Sequence, residues 1–497
     1  MSRSDGSRIY KCCLVACVPL LGAVSALEAA EPPETGPERT DRILEAIQAE
    51  LELVRSENQQ MKEEIDVLRA ESQDDWLTEQ RAEAIKGLVS DVLADADSRA
   101  SLAGNGLMAG WSDDFFLASA DGRFMLRIGA LMQNRFLYDH RSFEPGQQGD
   151  RSVYGFETTT ARLNLAGHLF GKDIQYRFEL GYGRTDPMQI SGQEVPFGTR
   201  VYEAWVRQRL TDELAVKVGL FRAPFTRETL VYEGRQLLVD RSSVDYRMGM
   251  GRVMGIELDY VTDEMRGMFS YNSGSGALFT QLQNADRVPP WSYSQENMEY
   301  SFQGRLEFLL AGEWSQFRQF TSPPDQEFGL MIGVAGTAMA TERTGEGNID
   351  KAKVYGGTAD VSVMFGGANL FAAFIYEQEL DVAPTLPRID WIAFVVQGGI
   401  YLDSKTEFFA RYQWGGAETV ELSGPNATNP FGRVYSIAQI GLNYYIDGQD
   451  VKFTIDGGLS FNPLNDISAI NQTGWLPGPP DEHNAQFLIR TQLQLMF

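Results

Sequence analysis

Residues 124–138 read FMLRIGALMQNRFLY. Phe124, Leu126, Ile128, Ala130, Met132, Phe136 and Tyr138 fall on one side of a two-residue period, and Arg127, Gln133 and Arg135 on the other. That pattern predicts a strand with one apolar and one polar face. Similar alternation recurs at 155–169, 173–183, 199–210, 213–221, 251–261, 264–274, 298–309, 326–341, 353–365, 368–382, 388–401, 404–414, 433–446, 450–461 and 484–497, sixteen strands in all. Short turns at 170–173, 211–214, 262–265, 402–405 and 446–450 follow even-numbered strands. Long Gly/Pro/Asn-rich loops at 141–153, 184–198, 272–297, 415–432 and 462–483 follow odd-numbered ones, with a longer link at about 310–325 as the exception.

An even strand count, short turns at one rim, long loops at the other and 56 aromatic residues predict an all-β fold over 111–497: a 16-stranded antiparallel transmembrane β-barrel. A soluble sandwich or propeller shares the alternation, so the last strand decides. In 485–497 Phe487, Ile489, Leu493, Leu495 and Phe497 alternate with Arg490, Gln492 and Gln494, and the chain stops on an aromatic. A barrel keeps its polar face on a water-filled lumen, which explains why no interior stretch is apolar enough for a membrane helix.

Lys and Arg number 43 against 68 Asp and Glu, a net charge of −25, which argues against nucleic acid as a partner. The segments before the barrel differ in kind. Arg3, Arg8 and Lys11 precede an uncharged run at 12–26 and the small residues Val24-Ser25-Ala26, so residues 1–26 read as a signal peptide cut after Ala26 or Ala30. Leu14-Val15-Ala16-Cys17 offers lipidation at Cys17 as the other reading. The three cysteines, 12, 13 and 17, all lie in this run, so cleavage leaves no thiol for a disulfide, a metal or a nucleophile.

A Pro/Glu-rich linker fills 27–40. Over 41–70 a heptad seam follows, with Leu44, Leu51, Asn58 and Ile65 at a positions and Ile47, Val54, Met61 and Leu68 at d positions. It predicts an oligomeric coiled coil, with an amphipathic helix packed on its own chain as the alternative. A second amphipathic helix is expected at 72–103, ended by Gly104, Gly106 and Gly110.

Enzyme readings find little. His140, His168 and His483 are scattered without metal spacing, and neither a catalytic residue, a metal site nor a cofactor is expected. Gly249-Met-Gly251-Arg-Val-Met-Gly255 runs one residue too long for a dinucleotide fingerprint and leads into a strand rather than a helix.

Three stretches carry a family resemblance: Asp121-Gly-Arg-Phe-Met-Leu-Arg-Ile-Gly129, Ala161-Arg-Leu-Asn-Leu-Ala-Gly167 and Val218-Gly-Leu-Phe-Arg-Ala-Pro-Phe-Thr-Arg-Glu228. From about 121 to 497 the chain resembles the phosphate-selective porin O and P family. The resemblance implies a trimeric porin in the outer membrane, embedded in lipid, passing small anions such as phosphate. It further implies a third loop folded into the lumen, here 222–250, and Phe497 as the signal read by the assembly machinery. Heptads ahead of the barrel resemble those of planctomycete porins, where they would project into the periplasm. The chain departs from the family at Thr158-Thr159-Thr160, where an Arg-rich run is usual.

Residues 217–252 hold Lys217, Arg222, Arg227, Arg235, Arg241, Arg247 and Arg252 against Glu228, Glu233, Asp240 and Asp245, a surplus of three cations in an acidic chain. A ring of such cations in a narrow, partly dehydrated passage favours anions. Arg127, Arg135, Arg162 and Arg177 would extend the path. The alternative is that these cations pair with acids and hold the loop to the wall. Beside the anion channel stand two other readings: a general, weakly selective porin, and a structural anchor whose coiled coil spaces the outer membrane.

Overall fold

The computed structural model describes residues 107–497 apart from 113, 144–150, 184–187, 191–192, 196–199, 275–297, 342–351, 384–385, 422–434, 463, 465–472 and 476–482. The signal peptide, the linker, the heptad seam and the second helix lie outside the described residues.

The strands, in chain order, begin with β1 (Leu107–Ser112), β2 (Asp114–Ser119), β3 (Met125–Phe143), β4 (Arg151–Leu169) and β5 (Ile174–Gly183). A small separate hairpin, β6 (Met188–Ile190) and β7 (Gln193–Val195), follows within the next long loop. Then come β8 (Arg200–Arg209), β9 (Leu214–Arg222), β10 (Arg252–Val261), β11 (Met265–Asn272), β12 (Met298–Ala311), β13 (Gly329–Thr341) and β14 (Lys353–Met364). The wall is completed by β15 (Ala368–Ala383), β16 (Leu386–Tyr401), β17 (Thr406–Glu421), β18 (Tyr435–Asp447), β19 (Val451–Ser460) and β20 (His483–Met496). β3 to β5 and β8 to β20 each pair antiparallel with the next, and β20 returns to β3 with Met496 opposite Leu131. The result is a closed sixteen-stranded antiparallel barrel, as the alternation predicts.

The two faces sort as their chemistry requires. Ile440, Leu442, Tyr444, Ile446, Phe453, Ile455, Leu493 and Leu495 point outward and are exposed, while Gln439, Asn443, Lys452, Asp456, Arg490 and Gln494 point inward. Each of the sixteen wall strands pairs on both sides, which satisfies the wall's backbone groups from strand to strand.

The closing seam has a third participant. Phe497 exchanges hydrogen bonds with Ala130 (2.8 and 3.0 Å), and there the last strand ends. Below that point β2 takes its place beside β3, with Phe115 opposite Ile128 and Ala118 opposite Met125, and β1 pairs back on β2. The Phe115 ring meets the Phe497 ring edge-on at 6.1 Å. The sequence reading placed no strand here and took Gly104 to Gly110 as the end of helical order. Six-residue strands around one turn are too short for a period to declare itself.

The lumen also departs from expectation, because its inner face is not polar all round. Phe371, Ile375, Ile389, Trp391, Val395 and Phe409 of β15 to β17 point inward. They are buried against Phe225, Val231, Leu237, Val244 and Met248 of the chain between β9 and β10. An apolar inner wall is stable here because a folded segment, rather than water, covers it.

Candidate functional site

Residues 223–251 leave the wall and turn into the barrel. They form α1 (Arg227–Leu230), a 3-10 turn at Glu233–Arg235, and α2 (Ser243–Met248), where Ser242 caps by accepting from Asp245 N at 3.0 Å. Thr226 to Thr229, Leu237 to Val239 and Arg241 to Asp245 are buried. Anchors reach the loop from around the wall. Asn443 donates to Leu237 O (2.9 Å), Lys452 to Gln236 O (3.0 Å), Gln494 to Gly234 O (2.8 Å) and Arg411 to Asp240 O (2.9 Å). Asp240 clamps the seam, accepting from Arg135 of β3 at 2.6 Å and from Arg490 of β20 at 2.7 Å. Gly234 sits close against the wall, where a Cβ would lie 2.8 Å from Met496 Sδ and displace that side chain.

The exceptional link between β12 and β13 enters from the opposite rim. Phe317, Phe320, Thr321 and Ser322 are buried, and Phe320 N donates to Arg235 O at 3.3 Å. Arg227 Nη2 donates to Phe317 O at 2.6 Å, and Thr321 Oγ1 to Glu407 at 2.9 Å. The two insertions therefore meet inside the barrel.

Opposite the apolar wall lies an ionic cluster. Glu233 is its hub, within 2.6 Å of Arg241, 2.7 Å of Arg222, 2.9 Å of Arg162 and 3.0 Å of Arg252. Around it Arg222 pairs with Glu203 at 2.7 Å, Arg162 with Glu179 at 2.9 Å and Arg177 with Glu179 at 3.1 Å. With Asp245, 3.6 Å from Arg241, five guanidinium groups face four carboxylates, a surplus of one. Burial opposes ionisation of Glu233, yet Arg162, Arg222, Arg241 and Arg252 outweigh it and hold the carboxyl well below its ordinary range.

Below the cluster a strip of cations remains open to water. Arg177, Arg207, Lys217 and Arg266 keep 25, 23, 17 and 33% of their side-chain surface exposed, whereas Arg135, Arg305 and Arg490 keep none. Register sets the order of descent: Arg207 stands opposite Lys217, Lys217 opposite Glu257, and Arg266 opposite Glu307 nearer the short-turn rim. Arg207 pairs with Asp259 at 2.9 Å, Arg266 with Glu307 at 3.4 Å, and Lys217 with Glu257.

Residues 131–329, which contain the loop, the hub and the strip, match the model of the family described as phosphate-selective porin O and P. The match supports an outer-membrane porin. This chain is a channel, not an enzyme. Three solved structures are similar at low identity. One is the outer membrane channel DcaP of Acinetobacter baumannii, 10% identical, over 78% of this chain and 100% of that one, with a TM-score of 0.47. Another is an anion-selective porin from Comamonas acidovorans, 12% identical, over 75% and 99%, with a TM-score of 0.45. The third is OmpT of Vibrio cholerae, 10% identical, over 75% and 98%, with a TM-score of 0.41. No curated protein sequence matches the chain.

The fold gathers Arg162, Arg177, Arg222, Arg241 and Arg252 into the hub cluster and leaves Lys217 on the strip. Arg135, Arg227 and Arg247 lie behind it, buried. Arg227 donates to Ser362 Oγ at 2.8 Å, and Arg247 pairs with Glu379 at 2.7 Å beneath the Trp391 ring. Arg127 sits at the short-turn rim, 3.7 Å from Asp114, and Arg235 makes no ion pair among the described residues. Sequence reasoning missed Arg207, Arg266 and Trp205 on the wall, and Trp314 on the link after β12. Arg207 and Trp205 carry the inward phase of β8, which was the signal available for them.

The loop's own seat is sensitive to pH. Glu228 accepts from Ser242 N at 2.9 Å and Ser242 Oγ at 2.6 Å, while burial and the Asp245 carboxylate push it up to about 7 against the pull of Arg411. A carboxyl raised in the fold binds its proton more tightly there than in the unfolded chain. Its stabilising share is therefore complete below about 4.5 and is lost as pH rises through about 7. After correction for intrinsic exchange, amides of 226–248 should exchange faster at pH 8 than at pH 5.5. Glu228→Gln should flatten that difference.

Proposed function

We propose that the barrel is a passive outer-membrane channel for small anions, phosphate among the candidates. One observation carries the reading: in a chain of net charge −25, the cluster beside the loop holds five guanidinium groups against four carboxylates. Field lines concentrate in a narrow low-dielectric passage, so a small local surplus outweighs the distant net charge. The path runs past Arg162, Arg177, Arg222, Arg241 and Arg252 and on to Lys217. A homotrimer with one lumen per chain, a periplasmic coiled coil at 41–70 and Phe497 as the assembly signal complete the proposal.

The test is conductance in a planar bilayer under a KCl gradient. The wild-type reversal potential should take the sign of anion preference, and Arg177→Glu with Lys217→Glu should invert it. An unchanged potential would remove the strip from the path. Steps of current without preference would leave a general porin, and no steps at all would favour the structural anchor.

A further inference from the structure

We propose that the strip is a path for organic anions with a flat, unsaturated body, carboxylates of the benzoate kind, and that inorganic phosphate is the poorer solute. The proposal rests on the channel reading above and names its substrate class.

The cations of the open wall stand over aromatic rings. Lys217 Nζ lies 5.7 Å from the Trp205 centroid and 5.4 Å from that of Phe221. The guanidinium carbons of Arg177 and Arg222 lie 5.6 and 5.3 Å from the Tyr232 centroid, and that of Arg266 lies 4.3 Å from Trp314. Trp205, Tyr232 and Trp314 are half-buried, so part of each side chain stays accessible. Rings thus recur beside these cations, Tyr232 on the inserted loop, Trp205 on β8 and Trp314 on the link after β12.

The same cations are already paired with acids. Arg177 is shared between Glu179 and Glu203, Lys217 between Glu257 and Asp259, and Arg266 is held by Glu307. Phosphate gives up a strong hydration shell only where several free donors converge on its oxygens. Here its second charge would also meet Glu257, Asp259 and Glu233 at close range. A singly charged carboxylate needs only one such cation. Its flat body gains from the neighbouring ring edge and from the open face of a guanidinium plane, contacts that phosphate cannot make.

The experiment is single-channel current of the full chain in KCl, with benzoate, cyclohexanecarboxylate, acetate and inorganic phosphate added in turn. Benzoate should reduce the open current at concentrations about tenfold below those needed for acetate or phosphate, the factor that one ring contact of roughly 1.4 kcal/mol supplies. Cyclohexanecarboxylate, equal in charge and similar in size but not flat, should fall between them. Trp205→Leu and Tyr232→Leu should each raise the half-blocking benzoate concentration several-fold. Phosphate acting at or below the benzoate concentration would overturn the proposal, as would benzoate block that survives both variants. Should the variants fail to fold, the four-anion ranking on the unaltered protein decides alone. Current steps with no benzoate effect would overturn this inference and leave the channel standing. No steps in plain KCl would remove both.

Discussion

Excising residues 224–250 and joining the ends with a short Gly-Ser turn is expected to raise single-channel conductance several-fold and to abolish charge selectivity. The excision is geometrically mild, because Ala223 N donates to Gly251 O at 2.9 Å and Arg222 stands opposite Arg252. β9 and β10 are therefore already a hairpin without the loop. What disappears is the inserted body that covers the apolar wall of β15 to β17 and supplies Glu233 and Asp240. The wall should survive, since its backbone hydrogen bonds run strand to strand and none depends on the loop. Its melting temperature should fall, because Arg135, Arg490 and Arg162 each lose a carboxylate partner. A conductance equal to that of the unaltered protein would mean that the loop does not limit the passage.

Glu233→Gln has the second largest expected effect. The side chain keeps its size and loses its charge, so four arginines lose their common partner and the local surplus grows from one to two. One unit charge at about 10 Å, with an effective dielectric constant near 20, is worth about 1.7 kcal/mol to a passing ion. Anion over cation permeability should therefore rise by about an order of magnitude in dilute KCl. The gain should shrink at 1 M salt, where the Debye length is about 3 Å. Breaking a buried ionic hub also destabilises the fold, on the order of 3 kcal/mol. Reversal potentials at two ionic strengths, with a thermal melt, check both parts. A permeability ratio that stays put would show that ions do not pass the hub.

The barrel was legible because lipid and lumen impose opposite demands on alternate residues. Met132, Phe136 and Tyr138 against Gln133 and Arg135 already state both faces of β3. The site was less so, because its partners are set by closure of the sheet. No local pattern announces that Asp240 will meet both Arg135 and Arg490, or that Glu233 will collect Arg162 from a strand far earlier in the chain. Charge counting over 217–252 marked the segment that folds inward, yet could not tell Arg222, paired in the hub cluster, from Arg227, buried against Ser362 and Phe317. The link after β12 left a fainter sign: Trp314, Phe317 and Phe320 are more apolar surface than a tight rim turn can use. The heptads at 41–70 and the signal peptide stand as sequence expectations.

The β1–β2 hairpin has a mechanical meaning for any tension arriving from the N-terminal side. Leu107 lies opposite Ser119, the residue at which the chain turns toward β3. Both ends of the hairpin are thus at the same edge. A pull on Leu107 opens its six residue pairs one at a time, starting at that edge, rather than shearing them together. Meanwhile β2 stays on β3 and Phe497 on Ala130. The first strand can therefore peel and lengthen the chain under load while the pairing of β2 with β3 is still intact.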